Sequence, residues 1–143
     1  LWVVDPIDGT RDFLRGRSGW AVSVALVEDG AVRVAVLAAP AQKRLYAASA
    51  GQGATLNGAA LKVSGLASLE GVRLPIDPPN LTASFWPSPW PGTAVAKPNS
   101  LALRMAMLAA DEADAWMEGR SVAEWDVAAA SLILTEAGGI VTD

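Results

Sequence analysis

A chain of 143 residues, 52% of them hydrophobic, can bury one compact core or two small packed lobes, so an ordered globular fold is expected. A formal net charge of −4 without any basic cluster argues against a nucleic-acid groove, whose phosphate contacts need concentrated Lys and Arg, and no DNA or RNA duplex partner is expected. The chain has neither cysteine nor histidine, which excludes disulfides, thiolate chemistry, Ser-His-Asp catalysis, HExxH zinc sites and imidazole bases; its chemistry must run on carboxylates, hydroxyls, amides and a hard cation.

Residues 1 to 4 read as a buried strand, and Thr10 to about Leu14 as a short helix capped by Thr10. Asp5-Pro6-Ile7-Asp8-Gly9-Thr10 therefore falls at a strand-to-helix corner. Trp20 to Val27 and Ala31 to Ala38 are β-rich and are joined by Glu28-Asp29-Gly30, a hairpin signal because Asp-Gly tolerates positive φ. A third strand is expected at Arg44 to Ala50, and the glycines of GQGATLNGAALKVS, from Gly51, suggest tight turns between short extended pieces.

The composition changes near Ser64 to Glu70, and GVRLPI at 71–76 reads as a strand opening a second lobe. The proline-rich loop from Asp77 to Asn99 holds Trp86 and Trp90 and is too apolar for a plain linker. It reads as a wrapped surface loop whose tryptophans pack on the body, with a substrate-side wall or a subunit contact as the alternative. Ser100 is placed to cap a helix running to about Ala110, with Leu101, Met105 and Leu108 at helical spacing. ADAWME at 113–118 reads as a strand, and Trp125 to Ala137 as a helix with Ala129, Leu132, Ile133 and Ala137 on one stripe, stopped by Gly138-Gly139. The division is then 1–70, the remainder of an N-terminal α+β lobe, and 71–143, a partial C-terminal α/β lobe. No stretch approaches the roughly 18 to 20 apolar residues of a membrane span, and nothing reads as a signal peptide. The chain starts at Leu1 rather than Met and stops in what reads as the opening of a strand, so a fragment of a longer protein is expected; the lack of cysteine is compatible with a reducing cytosol, and a cytoplasmic location is the expectation.

Asp5 and Asp8 flank a proline that fixes φ and an isoleucine that anchors the turn, so both carboxylates can converge at the strand end. Two like charges held that close stay ionised only if a cation or strong donors compensate. Oxygen donors without nitrogen or sulfur favour Mg²⁺ or Mn²⁺ over zinc or copper, and a carbonyl such as that of Ile7 adds another hard ligand. At Gly9-Thr10 the glycine allows close approach and helix-start N–H groups point at whatever anion occupies the corner. Metal on one side and amides on the other make a phosphate site; a capped helix with turn-forming aspartates is the alternative. The second cluster, EWDVAAASLILTEAGG at 124–139, puts Asp126 in the first turn of a helix, and Ala128 to Ala130 let another element approach. Taken alone, an aspartate there is a favourable dipole partner.

Together, WVVDPIDGTRDF and EWDVAAASLILTEAGG resemble the two signature motifs of the inositol monophosphatase family of Mg²⁺-dependent phosphatases, in the family's order and at a family-like separation. GWAVSVALVEDG, GQGATLNG and PNSLALRMAMLAADEADAW also fit, so the resemblance spans nearly the whole chain. It implies an α+β fold, a partial αβαβα layered sandwich of two lobes with the N-terminal helices missing. It assigns Asp5, the Ile7 carbonyl, Asp8 and Asp126 as ligands of two or three Mg²⁺ ions, Asp8, Gly9, Thr10 and Asp126 to phosphate binding, and Asp5, Asp8 and Thr10 to catalysis by metal-activated water. Two departures stand out. The family's glutamate, often in a Glu-Glu pair, and its aspartate near the threonine come from upstream segments absent here, so the fragment alone is expected to show little or no turnover. Position 12 is Asp where the family commonly has Asn.

The substrate of such a phosphatase is a small phosphorylated metabolite, distinguished mainly by contacts around Asn99 to Leu101 and Glu118 to Glu124. Ser100 and Glu118 are the candidates there; in inositol-cleaving members a glutamate shortly before the second motif contacts ring hydroxyls, and Glu118 lies about one residue too far for that register. SLALR and EWDVAAA look closer to the bacterial 3'(2'),5'-bisphosphate nucleotidase branch, and Arg104 and Arg120 either meet a second phosphate or are simply exposed. A solvated pair at a loop is the plain reading of Glu118 and Glu124. A catalytically silent member that binds phosphate or metal without turnover is the competing function, and the resemblance suggests a homodimer.

Overall fold

The computed structural model describes residues 1–84 and 86–142. Period-two alternation in the first third becomes an antiparallel meander: β1 (Trp2–Asp8), β2 (Ala21–Glu28), β3 (Ala31–Ala39), β4 (Arg44–Ser49), β5 (Ala54–Leu56) and β6 (Ala59–Ala60) lie side by side in chain order. β2 and β3 join through Asp29 and Gly30, both at positive φ, the backbone that a two-residue hairpin with native strand twist requires. A second sheet pairs β7 (Val72–Leu74) with β8 (Gly92–Ala94) in parallel. A Cβ at Gly92 would lie 2.1 Å from the Val72 carbonyl oxygen, so only glycine lets these strands meet.

Among the described residues, three α-helices complete the order, α1 (Thr10–Leu14), α2 (Leu101–Ala109) and α3 (Glu124–Glu136), with short 3-10 turns at Pro40–Gln42 and Pro78–Thr82. α2 and α3 pack together, and α3 lies across β1 to β4. The inward positions of the sheet are mostly small, Ala21, Ala25, Ala35, Ala39 and Ala48, and they meet Ala129, Ala130, Ala102 and Ala106 from the helices, with Leu37, Tyr46 and Ile133 filling the space between. Small residues on both sides bring helix backbone close to sheet backbone, so elements from both halves of the chain share one core. The other face of β1 to β4 is also apolar and carries exposed Trp2, Val4, Val34 and Leu45.

The expected elements are largely present, with three corrections. The first strand continues to Asp8, through the motif, because β1 stays paired with β2 on both sides of Pro6. Thr10 does not cap α1: Gly9 occupies that position at φ 88°, and no side chain caps the helix. The strand expected at 113–118 does not form. The Asp114 N–H reaches the Arg73 carbonyl, but the Arg73 N–H turns to the Asp114 side chain (2.8 Å), so a side chain takes the place of the main-chain acceptor and the ladder stops. The Arg73 guanidinium grips the same carboxylate at 2.7 and 2.9 Å and holds its pKa well below the usual carboxylate range.

Close helix-on-sheet approach makes Ala129, fully buried, a sensitive position for added volume. Ala129→Leu is expected to cost about 1–3 kcal/mol or more in urea unfolding of the intact protein, because no cavity is available for the branched side chain.

Candidate metal centre

In a regular strand Asp5 and Asp8, three residues apart, would point to opposite faces. β1 is irregular between them: Asp5 pairs with Ser23 and Asp8 with Ala21, so three steps on one strand match two on the other. Pro6, lacking an N–H, sits in the bulge, and the extra residue turns both carboxylates to the inner side. Asp5 Oδ1 accepts the Ile7 N–H (2.9 Å), which fixes its rotamer. The third carboxylate comes from α3. Asp126, in its first turn, accepts the Ala123 N–H at 3.1 Å. Oxygen atoms of Asp5, Asp8 and Asp126 all lie within 4.8 Å of one another, from residues up to 121 positions apart in sequence.

Asp8 is the buried member of the trio. Its Oδ2 accepts the Ser100 hydroxyl (2.6 Å) and the Ala102 N–H (2.8 Å), and Oδ1 the Leu101 N–H (3.3 Å); the carboxylate thus sits on the N-terminus of α2, where anions are favoured. Ser100 itself caps α2 by accepting the Leu103 N–H at 2.9 Å. Asp12, one turn along, accepts the Asn99 N–H (3.0 Å), and the Gly19 carbonyl accepts that of Ser100 (2.9 Å). Gly9 lies inside this clasp: a Cβ there would come within 2.7 Å of both the Gly19 oxygen and the Ser100 nitrogen. Its lack of a side chain therefore serves chain packing at the corner as well as any ligand.

Burial raises the Asp8 carboxyl above its ordinary value against three hydrogen-bond donors, and the neighbouring Asp5 adds to the rise. Asp5 is raised too, first by burial and further by Asp126, against the Ile7 N–H. Three convergent carboxylates, two of them resisting ionisation, form a hard all-oxygen donor set that a divalent cation of the Mg²⁺ or Mn²⁺ type would relieve. The Ile7 carbonyl stands beside them and accepts the Thr10 hydroxyl at 3.0 Å.

The other candidates are divided by burial. Ser100, considered for the substrate side, is fully buried behind Asp8 and gives both its donor and its acceptor to the fold. Glu118 is not solvated at a loop: it lies between Arg104 (3.6 Å) and Arg120 (3.1 Å), whose hydrogen bond is the main cause of its lowered pKa. Arg104, expected to be exposed or to meet a second phosphate, is 6% exposed, and Arg120 is exposed. Glu124 opens α3 facing solvent. Trp86 and Trp90 stack edge to face at 5.1 Å, and the Trp86 indole donates to the Asn80 carbonyl within its own loop. Sequence reasoning missed the links from Asp8 and Asp12 to residues 99–102; the only local sign was the capping serine itself. Among the described residues, no helix is long and apolar enough to cross a membrane.

A model of the inositol monophosphatase family matches residues 1–143. The chain is 37% identical over 153 residues to the Nus factor SuhB of Pseudomonas aeruginosa, covering 100% of this chain and 56% of that protein. It is 38% identical over 145 residues to a fructose-1,6-bisphosphatase/inositol-1-monophosphatase of Thermotoga maritima, again covering 100% and 56%. The solved structure of an IMPase from Thermotoga maritima superposes with a TM-score of 0.87 at 35% identity, covering 100% of this chain and 57% of that one. The chain thus spans little more than half the length of these relatives.

The raised carboxyls of Asp5 and Asp8 give a pH test. Above the unfolded carboxylate value of about 3.9, the metal-free native state holds more protons than the unfolded one, so this pair loses stability as pH rises toward the folded values. A cation must displace those protons, so the rise in Tm caused by Mg²⁺ is expected to grow from pH 4.5 to pH 7 in the intact protein. Differential scanning at fixed Mg²⁺ reads this directly; a Mg²⁺ effect that is flat or falls with pH would contradict the assignment.

Proposed function

Because the chain belongs to the inositol monophosphatase family, we propose that the protein it forms part of is a Mg²⁺-dependent phosphomonoesterase acting on a small phosphorylated metabolite, a 3'(2'),5'-bisphosphate nucleotide or an inositol monophosphate. The observation that carries this reading is the convergence of Asp5, Asp8 and Asp126 within 4.8 Å on a bulged strand end. In this reading the three carboxylates and the Ile7 carbonyl would hold Mg²⁺, which when bound would supply Lewis-acid polarisation of the ester and a more acidic water. Asp8, anchored by Ser100 and the α2 amides, is the rigid member and would hold a bound cation at a fixed place in the corner. Asp5 and Asp126 each take a backbone N–H on one side and keep their remaining lone pairs for the cation. Thr10, whose hydroxyl donates to the Ile7 carbonyl, offers oxygen lone pairs that accept a hydrogen bond from the attacking water and orient it. Gly9 keeps the corner open for the phosphate.

Relatives named as a Nus factor favour a second reading, in which the intact protein binds metal or phosphate without turnover. Phosphate release by the intact protein from inositol 1-phosphate and from adenosine 3',5'-bisphosphate across a Mg²⁺ titration separates the two. The expected result is Mg²⁺-dependent release from at least one ester, reduced more than about 100-fold in Asp8→Asn and in Asp126→Asn, beyond what loss of an outer-sphere partner costs. A Mg²⁺-dependent rise in Tm with no release from either ester would select the second reading.

A further inference from the structure

α3 delivers Asp126 from its first turn, yet little in that turn fixes where the helix lies along the sheet. The polar contacts of Asp126 stay within the turn, with Ala123. Further along, α3 meets the alanine-lined strands through Ala129 and Ala130, both fully buried. Side chains this small make shallow ridges, which allow close approach and resist sliding only weakly. The bulky buried contacts of α3, Leu132, Ile133 and Leu134, all lie in its second half, towards Glu136.

Glu136 makes the polar tie at that end. Its Oε1 accepts the Gly51 N–H and its Oε2 the Gly53 N–H, each at 2.7 Å, so the carboxylate is gripped by the turn that joins β4 to β5. Gly51 and Gly53 stand at φ 76° and 79°, and no atom lies within 4 Å of a Cβ built at either. Glycine is thus favoured there by backbone conformation rather than by space: the left-handed residues aim their amides at one point and form a concavity for an anion. A glutamate at a helix C-terminus opposes the helix dipole. Here the Gly51 amide first, then that of Gly53, offsets this and holds the carboxyl below its ordinary range. Beside it the Val63 N–H reaches the Ala137 carbonyl at 3.1 Å.

Glu136 and Asp126 are ten residues apart on one helix, about 15 Å at 1.5 Å per residue. A rod held at one end places its other end, and Asp126 must reach within 4.8 Å of Asp5 and Asp8. We propose that Glu136, seated in the amide nest of Gly51 and Gly53, is a positioning residue for the three-aspartate centre: it sets where α3 lies along the sheet and, through it, where Asp126 stands. Its consequence for cation binding rests on reading the aspartates as a metal site; its consequence for the position of Asp126 does not.

The test uses the intact protein and two readouts. Crystal structures of the metal-free wild type and variants read the place of Asp126, and Mn²⁺ titration followed by electron paramagnetic resonance reads the affinity of the centre at a temperature where each variant is folded. Glu136→Ala is expected to move the Asp126 carboxylate by more than about 0.5 Å relative to Asp5 and Asp8, the tolerance of a preorganised site. It is expected to weaken Mn²⁺ binding about tenfold, the low end of what loss of an orienting partner costs. Glu136→Gln, which keeps one acceptor for the nest, falls between Glu136→Ala and wild type, and carries the same reading if the alanine variant does not fold. Gly53→Ala strains the nest and leaves Glu136 in place; it is expected to weaken Mn²⁺ in the same direction, and adding Glu136→Ala to it is expected to have little further effect. Val72→Ala, a trim of a buried side chain in the second sheet, is expected to lower Tm and leave Mn²⁺ affinity unchanged. An unmoved Asp126 in Glu136→Ala, or a loss of affinity no greater than in Val72→Ala, would overturn the positioning role. No Mn²⁺ binding by the wild type would instead overturn the metal reading, and the crystal structures alone would then decide the positioning role.

Discussion

The carboxylate of Asp8 ties the molecule together. It belongs to the first sheet, yet its oxygens are taken by the Ser100 hydroxyl and the amides that open α2, more than ninety residues later. A buried carboxylate without donors would be protonated or would leave the interior, so the site exists only if α2 starts at Asp8. The same bonds satisfy helix N–H groups that otherwise lack partners, so helix and aspartate stabilise each other. Around this contact the Asp12–Asn99 and Gly19–Ser100 bonds close a clasp whose centre admits no side chain at position 9.

The remaining geometry follows from two local irregularities and one packing choice. The bulge at Pro6 turns Asp5 to the face of Asp8, and the alanine lining of β2, β3 and α3 lets α3 lie close enough to deliver Asp126 to the same point. The result is an electrostatically unfavourable arrangement for a metal-free protein, with two of the carboxyls raised by burial and by their neighbours. Sites that concentrate such opposition are commonly functional, and here the donor set indicates a hard cation.

Much of this was legible in the sequence because it is local. β-Rich composition marked β2 and β3 and the opening of β1, Asp29-Gly30 the hairpin, Ser100 the start of α2, and the pair of acidic motifs the candidate constellation. The errors came where a long-range interaction outweighed a local pattern. ADAWME has strand composition, but Asp114 spends its side chain on the Arg73 backbone and guanidinium, which ends the ladder. Thr10 has a capping side chain, but the clasp forces Gly9 into the capping position. Arg104 reads as a surface cation in an amphipathic helix, and its burial depends on carbonyls at 98 and 99 and on Glu118, none of which a helical pattern encodes.

Anomalous diffraction from crystals of the intact protein soaked in Mn²⁺ would test the central claim most directly, because it locates the cation without reference to any substrate. The account predicts a peak within ligand distance of carboxylate oxygens from Asp5, Asp8 and Asp126 together, with the Asp8 to Ser100 hydrogen bond retained. A peak elsewhere, or none at this point under saturating Mn²⁺, would contradict it and leave the three aspartates as structural caps and turns.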